Sequence, residues 1–325
     1  MAIANADRTL VKVLHELAVE YGVRIQPIGE GWIYQLVRDG VVRHIYGYSF
    51  DLNTAATHQI ACDKCATSEV LASRGLPQVP HHLFLHPNMA RYIDHKGNWP
   101  AMIALCEKYG WDIVIKENTG TGGRGVLRVR NAVELENAVY TLFARTNSIA
   151  ISPYRDATTE VRFIMLDGAC RLAFAKVRPS VIGDGRSTAL ELLAAKVSRA
   201  GMTGDIRRLL ENLEEDAAQA LAVVPSQGAE FLVNWRHNLG QGAAVRVLEP
   251  DDPADGEALQ LATRAAEALN LTFGSVDVLL TRDGPKVLEI NAGVMMEFLA
   301  RSISGGEELS RRIYREAFSK MFEVD

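Results

Sequence analysis

Residues 116–129 read "KENTGTGGRGVLRV" and decide which nucleotide-binding fold this chain can adopt. Gly120, Gly122 and Gly125 match the pattern G-x-G-x-x-G, which occurs in dinucleotide-binding folds and in protein kinases. A dinucleotide fold needs a helix directly after the glycines, whereas the alternating, β-branched segment 125–130 predicts a strand. A Walker A loop needs Gly-Lys-Ser/Thr, and a kinase places its Lys after the loop, so neither fits. The stretch is therefore predicted to be the tip of a β-hairpin.

A glycine-rich hairpin tip is suited to closing over phosphates. Backbone N–H groups at Gly120, Thr121, Gly122, Gly123 and Gly125 can approach a phosphate without large side chains in the way. Lys116, on the strand that leads in, can add a positive charge. The alternative is a mobile surface hairpin without a ligand, but it leaves the entropy cost of so many small residues unexplained.

A second hairpin is predicted for residues 274–291, "GSVDVLLTRDGPKVLEIN". Its strands alternate around an Arg-Asp-Gly turn, so residues whose numbers sum to about 566 should face one another across the strands. This register pairs Asp277 with Glu289, and the pleat places Asn291 on the same face. Opposed carboxylates repel unless a cation lies between them, and an Asp, Glu and Asn set suits Mg²⁺. The alternative is a pair of solvated charges at the hairpin edge.

Composition narrows the class of protein. With 325 residues, 48% of them hydrophobic, the chain can bury a large core. A net charge of -5 argues against a general nucleic-acid binder. No run of about 18 apolar residues is present, and the first residues do not resemble a signal peptide, so a cytoplasmic protein is expected. Cys62 and Cys65 form a C-x-x-C without the second ligand pair of a zinc site, so reduced thiols are expected.

The order of predicted elements indicates an α/β (α+β) chain with three lobes. A small α/β lobe covers residues 1–75, a lid lobe with the glycine-rich hairpin covers 76–154, and a lobe with the metal and substrate site covers 155–325. Within the last lobe we expect a hairpin around Asp167-Gly168 and a helical insertion over about 185–225. Helices near 254–269 and 306–321 follow.

Further segments carry a resemblance to a known family. They are "IACDKCATSEVLASRGLPQVP" (60–80), "IAISPYRDATTEVRFIMLDG" (149–168), "VRPSVIGDGRSTALELL" (177–193) and "WRHNLGQGAAVRV" (235–247). Together with the two hairpins they resemble the ATP-grasp carboxylate-amine ligase family over roughly residues 55–300. The similarity is strongest to the ATP-grasp domain of cyanophycin synthetase and to glutathione-forming ligases.

The resemblance implies a fold in which ATP is held between two α+β lobes, and it assigns roles by position. Lys64 would be the first ATP-contacting lysine, and Glu160 would bind the ribose. Asp277, Glu289 and Asn291 would hold Mg²⁺, as two ions, with Mn²⁺ as an alternative. The hinge that contacts adenine would comprise Ile151, Ser152, Pro153 and Tyr154. Because relatives usually have an acidic residue where Ser152 stands, contacts to the adenine amino group are expected from the backbone of 151–154.

The resemblance also implies a reaction, which joins the carboxylate of an amino acid or peptide to an amine through an acylphosphate and releases ADP and phosphate. Fixed positive charge and hydrogen-bond donors should stabilise the tetrahedral intermediate, and the residues expected in that role are Arg236, Asn238, Arg162 and Arg178. Arg162 could equally be a solvated or salt-bridged residue on the face of a strand, and His237 a hydrogen-bonded loop histidine instead of a general base. No functional role is assigned to the acidic run 211–216.

One further departure from the family pattern and two alternative functions remain. "AGVMMEFL" follows Asn291 where relatives have a small-Pro-Gly turn, so the acceptor pocket should differ. The same ATP site could serve a phosphotransferase that acts on a hydroxyl, or a nucleotide-binding module without turnover. The expected partners are small amino-acid or peptide substrates, without nucleic acid or membrane, and a homodimer through the leading lobe.

Overall fold

A computed structural model describes residues 7–89, 92, 98–123, 125–199, 221–239, 243–248 and 256–324. The architecture mixes helices with several antiparallel sheets, as the sequence predicts. By its internal contacts the chain divides into two compact units, residues 1–173 with 248–325, and residues 174–247. This division into two units does not test the three lobes predicted from the sequence, which remain a prediction. Most of the helical insertion expected over 185–225, and the whole acidic run 211–216, lie outside the described residues.

The first unit begins with a helix on a four-stranded antiparallel sheet. The buried side of the helix carries Leu10, Val13, Leu14 and Leu17 at helical spacing, which explains its amphipathic sequence. The Asp39-Gly40 turn has positive φ at both residues, as a tight hairpin requires. The elements are α1 (Thr9–Glu20), β1 (Arg24–Ile28), β2 (Ile33–Arg38), β3 (Val41–Tyr46) and β4 (Ser49–Phe50), with the strands in that order.

The N-terminus of α1 is capped by a distant carboxylate. Arg8 occupies the N-cap position without a side-chain cap, and the first turn has no acidic residue. Glu297, 1% exposed, instead accepts hydrogen bonds from the Thr9 N–H at 3.0 Å and the Thr9 hydroxyl at 2.9 Å. The Tyr48 hydroxyl donates to the same carboxylate at 3.3 Å. A buried carboxyl group at the positive end of α1 thus connects two residues that are 288 positions apart in the sequence.

A second four-stranded sheet carries the predicted glycine-rich hairpin. Its strand order is β5-β8-β6-β7, and it packs on two helices through a core that includes Ile113, Ile115, Ile149 and Ile151. The elements of this region are α2 (Ala55–Cys62), α3 (Lys64–Ser73), β5 (His82–Leu85), α4 (Trp99–Lys108), β6 (Ile113–Glu117), β7 (Leu127–Val129), α5 (Ala132–Phe143) and β8 (Ser148–Pro153). The strand predicted over 125–130 is shorter than expected, at three residues.

The third sheet of the first unit contains the predicted carboxylate hairpin. Here β10, β9, β14 and β15 are neighbours in that order, and the Asp167-Gly168 turn predicted between β9 and β10 is present. Helices near 254–269 and 306–321 are also confirmed. The elements are β9 (Ala157–Leu166), β10 (Ala169–Val177), α7 (Gly256–Ala268), β14 (Phe273–Thr281), β15 (Gly284–Asn291), α8 (Glu297–Ser302) and α9 (Gly306–Phe322).

The second unit has its own small core. Val181, Ala189, Leu193, Leu221 and Val233 form a buried cluster in it. Beyond the last part of β10, the elements are β11 (Ser180–Ile182), α6 (Ala189–Arg199), β12 (Glu230–Leu232) and β13 (Ala244–Val247); β11 pairs with β12 and β10 with β13. Across the described parts of both units, no helix has the length and apolar character needed to cross a membrane.

Candidate active site

The glycine-rich stretch is a long loop between two antiparallel strands. β6 pairs with β7 from Ile113 opposite Val129 to Ile115 opposite Leu127, so the residues after the glycines form a strand and not a helix. Gly122, Gly123 and Gly125 have φ of 71, 72 and 63°, a conformation that side chains disfavour. The hairpin prediction is confirmed, and the glycines are needed for the shape of the loop.

Asn118 and Lys64 connect this loop to the start of α3. The Lys64 ammonium donates to the backbone carbonyl of Gly120 at 2.6 Å and to that of Asn118 at 3.2 Å. The Asn118 side chain accepts from the Cys65 N–H at 3.1 Å, and Asp63 caps the helix through the Ala66 N–H. The predicted first ATP lysine therefore lies directly against the glycine-rich loop.

Lys116 is a buried cation between charged groups. It is 6% exposed, and the structure records no hydrogen bond from its ammonium to another described residue. Burial lowers the pKa of Lys116 to about 8, a shift that the charges of Glu289 and Glu160 oppose and that of Lys64 reinforces. A desolvated ammonium without a hydrogen-bond acceptor is a place where a phosphate oxygen would be favoured.

The predicted pair of opposed carboxylates is present in the third sheet. Asp277 lies directly across from Glu289, and Asn291 donates from its side-chain amide to Glu289 at 3.4 Å, so the register prediction is confirmed there. A β-bulge between Asp277 and Val278 shifts the pairing by one residue nearer the turn. Because of the bulge, the numbers of paired residues sum to 566 at the carboxylates but not nearer the turn.

A third strand contributes a cation that the sequence analysis did not pair with these carboxylates. Arg162 on β9 is opposite Asp277 and donates two hydrogen bonds to it, at 2.7 and 2.6 Å, while Asp277 is completely buried. Burial acts to lower the pKa of Arg162, but the Asp277 carboxylate and its hydrogen bonds raise it overall. A fixed guanidinium thus balances one of the two carboxylates.

The donor set for a divalent cation consists of two carboxylates and one amide. Among the described residues no three His, Cys, Asp or Glu side chains are arranged to hold a metal by themselves. Each Asp277 oxygen that accepts from Arg162 still has a second lone pair, and Glu289 and Asn291 add further oxygens. This set fits Mg²⁺ that completes its coordination with phosphate and water, and not a closed protein cage.

Tyr154, the last residue of the predicted hinge, is held in place by contacts with Asp112 and Arg128. The Tyr154 N–H donates to the Asp112 carbonyl at 2.8 Å, and the Arg128 guanidinium lies 3.5 Å from the centre of its ring. Arg128 is itself held by two hydrogen bonds to Asp112. The Ser152 hydroxyl, by contrast, makes only a long contact of 3.4 Å to the Val114 carbonyl.

Arg178, Arg236 and Asn238 all belong to the second unit, where they accompany His237. The Arg236 guanidinium lies 4.9 Å from the centre of the Trp235 ring, and the Arg236 backbone N–H donates to the Asn234 side-chain oxygen at 3.0 Å. Burial, with the charges of Arg178 and Lys176, lowers the pKa of His237 to about 3. A neutral imidazole among cations indicates a region suited to an anionic ligand.

Comparisons with known proteins agree with this geometry. The model of the RimK-like ATP-grasp domain matches residues 215–313. Cyanophycin synthetase of Trichormus variabilis is 27% identical over 252 residues, and the bifunctional glutathione biosynthesis protein of Streptococcus thermophilus is 24% identical over 282. These alignments cover 74% and 80% of this chain, but only 26% and 35% of the relatives.

Solved structures show the same fold. D-alanine–D-alanine ligase of Bacillus anthracis superposes with a TM-score of 0.54 at 14% identity, over 86% of this chain and 71% of that one. The bifunctional glutathione synthetase of Pasteurella multocida gives 0.52 at 16% identity, over 95% of this chain and 44% of that one. The chain therefore has the ATP-grasp fold, and the predicted resemblance to ATP-grasp carboxylate-amine ligases is confirmed.

Proposed function

We propose that this chain is an ATP-dependent ligase that joins the carboxylate of an amino acid or peptide to an amine through an acylphosphate. The observation that supports the proposal most strongly is the position of Lys116. This buried ammonium extends from the strand before the glycine-rich loop and interacts electrostatically with Glu160 and Glu289. The lysine proposed to bind phosphate therefore interacts with one of the carboxylates proposed to bind the metal, as phosphoryl transfer would require.

In this proposal the chain acts by positioning and by charge. Lys64, Lys116 and the amides of the glycine-rich loop hold the phosphates, Glu160 holds the ribose, and residues 151–154 line the base. Mg²⁺ at Asp277, Glu289 and Asn291 supplies charge neutralisation at the phosphates. Since only two of the five Arg162 N–H groups bind Asp277, the remaining donors can contact a phosphate or a substrate carboxylate.

Arg178, Arg236 and Asn238 are proposed to stabilise the anionic tetrahedral intermediate formed when the amine attacks. Support comes from the cations around His237, whose lowered pKa keeps the imidazole neutral at physiological pH. The substrates are then small anionic amino acids or peptides, and a cytoplasmic location is part of the proposal. A dipeptide or γ-glutamyl product fits this chemistry.

The test measures ADP and phosphate release by the purified chain with Mg-ATP and pairs of amino acids. We expect release that requires both partners, and mass spectrometry should find an amide product. A phosphorylated product without free phosphate would assign a phosphotransferase instead. Binding of ATP without turnover on any pair would favour a nucleotide-binding module.

Variants of the carboxylate hairpin test the proposed metal site. Glu289→Gln should reduce Mg-dependent turnover by at least about a hundredfold while the fold is retained. Glu289 is the better choice because substitution of fully buried Asp277 would leave Arg162 without its partner. Asp283→Asn, an exposed carboxylate in the turn of the same hairpin, is the matched control and should turn over normally. Wild-type turnover by Glu289→Gln would show that the metal assignment is wrong.

A further inference from the structure

The β5-β8-β6-β7 sheet has a second face, opposite α4 and α5, whose residues are also buried and which α3 contacts through Ser68. Ile113, Ile115, Ile149 and Ile151 point toward α4 and α5, where they form the apolar core. Lys116 has the opposite orientation because it alternates with Ile115 and Glu117 along β6. In the register of β6 with β8, Lys116 faces Ala150 and Val114 faces Ser152, so these four residues share the second face. The second face is therefore the one that carries Lys116, the lysine proposed to bind phosphate.

His81 lies at the edge of the same face. His82 pairs with Ile151 and turns its side chain toward the helices, where its Nε2 is 2.8 Å from the Tyr109 hydroxyl. Extending this antiparallel register by one residue places His81 opposite Ser152, on the side of Lys116. The His81 backbone is anchored there, because its N–H donates to the Ser68 hydroxyl at 3.0 Å and that hydroxyl donates to Gln78 at 2.9 Å.

The imidazole of His81 presents an unused acceptor. The residue is 4% exposed, and its Nε2 is buried without a hydrogen-bond partner. Burial, reinforced by the charges of Lys116 and Lys64, lowers the pKa of His81 well below its ordinary value, so the ring is neutral. The ring is hydrogen-bonded to the backbone of Val79, and since Nε2 has no partner this bond uses Nδ1. Nε2 of the neutral ring therefore carries a lone pair and no proton.

A bound nucleotide offers few groups that can donate to such an acceptor. Triphosphate oxygens carry no proton at neutral pH, so the donors are the ribose hydroxyls and the exocyclic amino group of adenine. The phosphate end of the site is marked by Lys116 and the glycine-rich loop, and the base end by the hinge 151–154. His81 is level with Ser152 at the base end, where the Ser152 hydroxyl is directed to the Val114 carbonyl.

We infer that His81 Nε2 accepts a hydrogen bond from the exocyclic amino group of adenine and thereby selects adenine over guanine. Guanine has a carbonyl oxygen at that position, which would face the Nε2 lone pair without a proton between them. This inference rests on the proposed function and deepens it. It adds a side-chain acceptor to the hinge, where the sequence predicts contacts from the backbone alone.

The test compares ATP with purine riboside triphosphate, which is identical except that it lacks the amino group. Equilibrium dissociation constants of both, and of GTP, are measured by calorimetry for the wild type, His81→Leu and His81→Gln. The wild type should bind ATP about a hundredfold more tightly than purine riboside triphosphate, the equivalent of two neutral hydrogen bonds, one to the hinge backbone and one to His81. In His81→Leu this ratio should fall to about tenfold, because the backbone contact remains, whereas Gln retains an acceptor and more of the preference.

The two dissociation constants are compared within each variant, so a reduced folded fraction affects the apparent affinity for both ligands equally. His82→Leu, on the opposite face of the same strand, is the matched control and should keep the wild-type ratio. An unchanged ratio in His81→Leu overturns the inference. So does a substitution that changes the affinity for ATP relative to 2′-deoxy-ATP or 3′-deoxy-ATP but not relative to purine riboside triphosphate. If the wild type binds ATP selectively but no ligase activity is found, the proposed function fails and the inference stands. If it binds no nucleotide, both fail.

Discussion

Lys116 should make ATP binding depend on pH between about pH 7 and pH 9. Its ordinary pKa is near 10.5, and burial lowers this to about 8 in the unliganded chain. The ammonium is then about nine-tenths charged at pH 7 and about one-tenth charged at pH 9. Phosphate oxygens bind the charged form, so the dissociation constant for ATP should rise about tenfold between these values, or about 1.4 kcal/mol.

A rise in pH should stabilise the folded chain, although it should weaken ATP binding. Because the folded pKa lies below the unfolded one, the charged form costs free energy in the folded chain at pH values below about 8. That cost disappears as the pH rises from about 8 to about 10.5, and at pH 7 it is on the order of 3 kcal/mol. Lys116→Met should therefore unfold at a higher urea concentration than the wild type at pH 7, although it should lose ATP binding.

The assay is calorimetric titration of Mg-ATP at half-unit steps from pH 7 to 9. Other groups that act on Lys116 are Glu289 on β15, Glu160 on β9, and Lys64 and Cys65 on α3. Burial raises the pKa of the Cys65 thiol to about 12, which removes it from this range. Lys116→Arg is the control, because a guanidinium stays charged throughout and its affinity should not change with pH. Equal slopes for wild type and Lys116→Arg would refute the assignment.

Three further results are expected. Glu297→Gln should lower the free energy of unfolding by about 2 kcal/mol in urea, because a neutral amide replaces the buried carboxylate at the start of α1; no change would mean that this cap contributes nothing. Arg236→Ala should reduce turnover much more than ATP affinity, and an equal loss of both would make Arg236 only a nucleotide contact. Backbone amides of residues 119–123 should exchange hydrogen more slowly with ATP bound, and identical exchange in both states would contradict closure of this loop.

The parts of the fold that follow from local pattern were predictable. The turn near Asp283 sets the register that brings Asp277 opposite Glu289, and alternation alone identified both strands. The strand after the glycines followed from the same alternation, which was enough to exclude a dinucleotide fold. The bulge, which adds Leu288 between the paired residues Val287 and Glu289, could not be predicted, because strict alternation leaves no place for an extra residue.

Residues that act through distant contacts were missed or misread. A salt bridge was one of the roles predicted for Arg162, but its partner, Asp277, could not be identified because it is 115 positions away and nothing local indicates that β9 lies beside β14. Asn118 and His81 gave no motif, since their roles come from burial beside α3 and from the orientation of β5. The adjacent histidines His81 and His82 were the available signal, because neighbouring residues of an extended segment point to opposite faces.

The two hydrogen bonds from Lys64 to the glycine-rich loop have a consequence for how the chain would respond to nucleotide. In the unliganded chain this ammonium donates two of its three hydrogen bonds to the carbonyls of Asn118 and Gly120, which leaves one N–H group for a phosphate. A phosphate that takes more than this one donor would have to displace a carbonyl of the loop. Nucleotide binding and the conformation of the loop are therefore coupled through a single side chain.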